Sequence, residues 1–129
     1  MICGEIYKWQ TDRAIGYDSR DKYHVFICDP AFPDEYVFLM INKTNWGGDF
    51  GLLRSDYPFF TLDRCYVGCE EILSYEIEEL PNPLEDYFLG RLSDAHLYQL
   101  LNCVLKNGQM VRKNKTKING AIQGYLAAT

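Results

Sequence analysis

Lys22 and His24 open one strand-like run of this sequence, and Asn42, Lys43, Thr44 and Asn45 close the next. If the two runs pair antiparallel, both groups arrive at the same end of a hairpin. A histidine, two lysines and a threonine would then surround one point, and those residue types suit a phosphodiester. Metal-free RNA cleavage needs a base for the 2'-hydroxyl, an acid for the leaving 5'-oxygen and positive charge on the pentavalent phosphorus. His24 is the natural proton carrier, because an unperturbed imidazole titrates near neutrality. Lys22 and Thr44 complete the candidate catalytic set, and Arg20 and Lys43 are candidate RNA contacts. Trp46, with Phe50 and Tyr57 in the same loop, offers faces on which bases stack. Each has a plainer reading: a lone histidine beside a strand start is often a hydrogen-bonded structural residue, and loop aromatics often roof a small core.

The two runs that must position these residues span 23–28 and 36–41 and are rich in Val, Ile, Phe and Tyr. They are joined by a connector, DPAFPDE, with two prolines and three acids. Its length exceeds a two-residue primed turn, so the register must be set by which residues face the core. Residues 1–9 read as a first strand with Gly4 marking a bend or bulge, 10–21 as a polar loop, and 45–58 as a glycine-rich loop. Short strand signals recur at 65–68 and 72–77, and the two prolines of LPNPL stop any regular element. Ser93 is a candidate N-cap, after which Leu97, Leu100, Leu101, Val104 and Leu105 recur at helical spacing. The segment 93–107 is therefore predicted to be the longest helix. After a basic loop, RKNKTK, residues 118–126 are expected to make a last short helical turn, with Gly120 and Gly124 weakening it. The prediction is a mainly β, single-domain chain: a small barrel of five to six antiparallel strands over about 1–78, followed by a helical part over about 93–126.

With 129 residues, 47% of them hydrophobic, the chain can bury one core. It has no apolar run of membrane-spanning length and its first residues lack the pattern of a secretory signal, so a cytoplasmic location away from the membrane is expected. A net charge of −5 argues against a chain that merely coats nucleic acid. The distribution says more: residues 65–90 hold seven acids and no base, whereas residues 95–129 hold five bases, Lys106, Arg112, Lys113, Lys115 and Lys117, and no acid. Both stretches can be solvated faces; otherwise the first leans toward a protein partner, and Lys113, Lys115 and Lys117 lean toward RNA. The five cysteines are odd in number and irregularly spaced, with Cys65 and Cys69 four apart and no CxxC pair. Free thiols, no metal and no cofactor are expected. No phosphate-binding, nucleophile-elbow or dinucleotide motif occurs.

The opening GEIYKW, the polar loop with basic residues, YHVFICDP, VFLMINKTN and YPFFTLDRCYVGCEEIL together resemble the order of elements in the MazF, PemK and Kid group of toxins, and in shorter phage and plasmid proteins similar to them. The resemblance covers residues 4–77. It implies an SH3-like barrel, a homodimer, and metal-independent cleavage of single-stranded RNA, with an antitoxin as a protein partner. Thr44 matches the family threonine. The family arginine-proline pair falls on Tyr23 and His24, leaving Lys22 and Arg20 as substitutes, and a flexible lysine does not reproduce a guanidinium fork. A second reading is a catalytically silent barrel of the same shape, encoded by a phage or mobile element and acting as a protein-binding or inhibitory module. Gyrase-poisoning relatives of these toxins set the precedent for one fold carrying different chemistry.

Overall fold

The structure, a computed structural model, describes residues 1–13, 20–28 and 35–129. Most of the DPAFPDE connector and the middle of the first polar loop lie outside the described residues. Among the described residues seven strands form one antiparallel sheet that curls into a half-barrel: β1 Glu5–Thr11, β2 Arg20–Cys28, β3 Tyr36–Asn42, β4 Phe50–Leu53, β5 Arg64–Val67, β6 Leu73–Tyr75 and β7 Phe88–Arg91. Two helices follow, α1 Asp94–Lys106 and α2 Arg112–Ala128. The order across the sheet is β4-β5-β3-β2-β1-β7, with β6 pairing the other end of the β3 edge that β5 uses. β2 and β3 are thus the centre, with Tyr23 opposite Ile41 and Phe26 opposite Phe38.

The central pair is apolar on both faces because both faces are covered. On one side Ile6, Val25, Ile27, Leu39 and Ile41 pack with Leu97, Leu100, Leu101 and Val104 of α1 and with Ile118 and Ile122 of α2. On the other, Tyr7, Trp9, Phe26, Phe38 and Tyr75 form a smaller aromatic cluster. The alternation of β2 sends Val25 and Ile27 to the first core and His24 and Phe26 to the second.

Ser93 caps α1, its Oγ accepting the His96 N–H at 3.2 Å, and Asp94 and Lys106 sit at the ends that suit the helix dipole. Ser93→Ala is expected to lower stability by about 1 kcal/mol, measurable as a shifted urea midpoint at unchanged slope.

Three expectations change. β4 lies in the stretch read as a glycine-rich loop, β7 has no strand-like run of its own, and α2, at 17 residues, is longer than the 13-residue α1. The RKNKTK stretch is therefore the start of a helix. Its bases crowd the positive end of the dipole, an unfavourable placement. Lys115 offsets this by donating from Nζ to the Leu105 carbonyl at 2.9 Å, at the end of α1. Gly120 and Gly124 have no atom within contact of a would-be Cβ, so they lie on the open side while Ile118 and Ile122 are buried.

Candidate functional site

Antiparallel pairing of β2 and β3 brings the start of one strand beside the end of the other, and a groove of about 220 Å³ opens there. Arg20, Lys22 and Lys43 line it; Asp21 is the acid among the described lining residues. The wall is apolar and aromatic, from Tyr23, Ile41, Phe60 and Leu62. Tyr23 is fixed by a hydrogen bond from its hydroxyl to the Phe59 carbonyl at 3.2 Å and by edge contact with Phe60, ring centres 5.0 Å apart.

Lys22 is the centre of the charge. Its Nζ donates to Asn42 Oδ1 at 3.2 Å, and its ammonium is held below the ordinary lysine value by burial first, then by repulsion from Arg20 and Lys43. Among the described residues the ion pairs are Arg13 with Glu79 and Arg54 with Asp63, so none of the three groove cations is neutralised in this way. Lys8, which the sequence reading missed, adds another cation: β1 places it opposite Tyr23, with Nζ 4.7 Å from the ring centre. No local motif marks Lys8, whose relevance exists only through the β1–β2 register.

His24 does not line this groove. It is fully buried in the aromatic cluster, stacked on Trp9 with ring centres 3.6 Å apart and planes within 5°. Nδ1 lies 2.9 Å from the Lys22 carbonyl, which can only accept, so Nδ1 carries the proton. Nε2 must then accept, and Tyr75 donates to it at 3.0 Å. The Tyr75 oxygen in turn takes the Thr11 hydroxyl proton at 3.0 Å, and Thr11 Oγ1 accepts the Arg13 N–H at 3.2 Å. Every donor direction in this buried chain follows from one carbonyl. Burial pushes the imidazole down to about 3, with the adjacent Lys22 charge acting the same way and the bond to its carbonyl opposing, so His24 is neutral at physiological pH. Its contribution at the site is to pin the Lys22 backbone. Tyr75→Phe, which leaves His24 Nε2 without a donor, is expected to cost about 1–3 kcal/mol of stability in chemical denaturation.

The other expected site residues are dispersed. Thr44 is exposed in the bend after β3 and is not among the groove-lining residues. Trp46, 57% exposed, borders a separate small cavity with Arg13, Asp49 and Glu70. Phe50 and Tyr57 pack against His96 of α1, and the Tyr57 hydroxyl accepts the Ser93 N–H at 3.0 Å while lying 2.7 Å from His96 Nδ1; both act as roof of the core. Lys113, Lys115 and Lys117 belong to α2 and do not line the groove.

Cys3, Cys65, Cys69 and Cys103 are free thiols, and burial raises Cys3 and Cys69 to about 12 and Cys65 to about 11. Among the described residues no three His, Cys, Asp or Glu side chains gather as a metal-binding group, and no helix is long and apolar enough to cross a membrane. Compared with known proteins, the chain matches no family and no curated sequence.

Proposed function

We propose that this protein binds single-stranded RNA in the Lys22 groove, in the manner of the toxins its sequence resembles. The observation that carries the reading is three un-neutralised cations, Arg20, Lys22 and Lys43, converging on one groove with an aromatic and apolar wall. Cations that track a phosphate backbone beside a surface for bases are the ordinary means of holding a single strand. The reaction suited to such a groove is metal-independent transesterification. Asp21 is the carboxylate available to take the 2'-hydroxyl proton, the freed oxygen attacks phosphorus, and the 5'-oxygen leaves with a proton from Lys22, giving a 2',3'-cyclic phosphate and a 5'-hydroxyl. Arg20 and Lys43 stabilise the negative charge that builds on the phosphorane.

A second reading, binding without cleavage, is favoured by the burial of His24, which removes the best proton carrier from the groove. Incubation of purified protein with mixed-sequence single-stranded RNA and EDTA, resolved in parallel on a denaturing gel for cleavage and a native gel for binding, separates the two. Cleavage that is lost in Lys22→Ala supports the enzyme. Binding with intact RNA supports the second reading, and the absence of both refutes the proposal.

A further inference from the structure

The aromatic cluster of Tyr7, Trp9, Phe26, Phe38 and Tyr75 is only partly roofed. Residues 76–87 cross it through two short 3-10 turns, Ile77–Glu79 and Leu84–Tyr87, and leave a groove of about 790 Å³ between themselves and the first residues of the chain. Its apolar lining includes Ile2, Tyr7, Tyr36, Ile77 and Leu80. Ile77 is 60% exposed and Ile2 49%, an arrangement that solvent alone does not favour.

Every charged side chain that lines the groove, among the described residues, is a carboxylate: Glu5, Glu78 and Glu85. Glu5 is engaged with the Ile2 N–H and the Tyr7 hydroxyl, whereas the side chains of Glu78 and Glu85 make no hydrogen bond or ion pair within the described chain. Glu5 and Glu85 both add, after burial, to the upward shift of the Tyr7 phenol, so two carboxylates converge on the floor. Residues 65–90 hold no base, and the segments outside the described residues contain no lysine or arginine.

An apolar floor rimmed by acids is complementary to a helix or strand that presents apolar side chains on one side and cations beside them. We infer that this groove docks a basic amphipathic segment of a partner protein. It shares no lining residue with the Lys22 groove, so it stands independently of the RNA reading.

The probe is a fluorescein-labelled peptide of leucine and lysine at helical spacing, with its leucine and glutamate counterpart as control, titrated with full-length protein by fluorescence anisotropy. The lysine peptide is expected to bind and the glutamate peptide not. Ile77→Ser and, separately, Glu78→Lys with Glu85→Lys are each expected to weaken binding about tenfold or more, while Lys22→Ala leaves it unchanged. These side chains are exposed or on the rim, and an unaltered circular dichroism melt verifies that the variants fold. No binding, equal binding of both peptides, or binding that survives both variants overturns the inference. So does sedimentation in which the protein self-associates and Ile77→Ser restores the monomer, because the face is then occupied by a second copy.

Discussion

Replacing Arg20, Lys22 and Lys43 together with alanine is expected to lower the affinity for single-stranded RNA about a hundredfold at low salt. The same change should flatten the dependence of log affinity on log salt by about 2, since each phosphate contact on a single strand contributes roughly 0.7 to that slope. The prediction follows from convergence: the three cations line one groove, and an RNA backbone that enters it meets all of them. Folding is not expected to suffer, because Arg20 and Lys43 act on Lys22 by repulsion in the free protein. Lysines 113, 115 and 117 supply the control. They lie on α2 outside the groove, so their triple alanine variant should change the slope much less. Anisotropy titrations across a series of KCl concentrations check both variants, and an equal loss in the two would place the RNA elsewhere.

Acid is expected to destabilise the protein through His24. The folded-state value, about 3, lies below the ordinary 6.5, so between these limits the unfolded chain binds a proton that the folded chain refuses. Stability from this group is therefore fully present above pH 6.5 and is lost as the pH falls toward 3. The slope is about 1.4 kcal/mol per pH unit, and the whole window amounts to roughly 5 kcal/mol. His24→Phe keeps an aromatic ring against Trp9 and removes the titration. At pH 7 the variant should be the less stable protein, because the Tyr75 hydroxyl and the Lys22 carbonyl lose their partner. As the pH falls to 4 its deficit should shrink by several kcal/mol and can reverse. Urea unfolding of both proteins at pH 7, 5.5 and 4 tests this; parallel loss of stability in the two would show that His24 is not the buried neutral base described.

Local pattern sufficed for elements whose own residues carry the signal. The β-branched and aromatic runs of β2 and β3 and the Ser93 cap with its leucine spacing appear in the fold close to where the sequence puts them, because propensity, cap and period agree there. The mainly β architecture with helices after the sheet follows from the same signals. β7 and the start of α2 were illegible for a common reason: FLGR is a strand only because β1 offers an edge, and the basic start of α2 is helical because Ile118 and Ile122 dock on the core and Lys115 reaches the end of α1.

The candidate site divides along the same line. From the sequence alone, antiparallel pairing was enough to bring Arg20 and Lys22 to the same end of the hairpin as Lys43, since strand direction sets which ends meet. Which of those side chains face the groove was decided by packing. Residue identity made His24 a proton carrier, but Trp9, Tyr75 and Thr11 arrive from 13 or more residues away along the chain only when β1 and β6 join the sheet, and their burial of the ring holds it neutral. Thr44 keeps its place in the sequence and loses the groove because β3 ends before it. Charge state and access are properties of what surrounds a side chain, and surroundings of this kind exist only after the long-range strand pairs have formed.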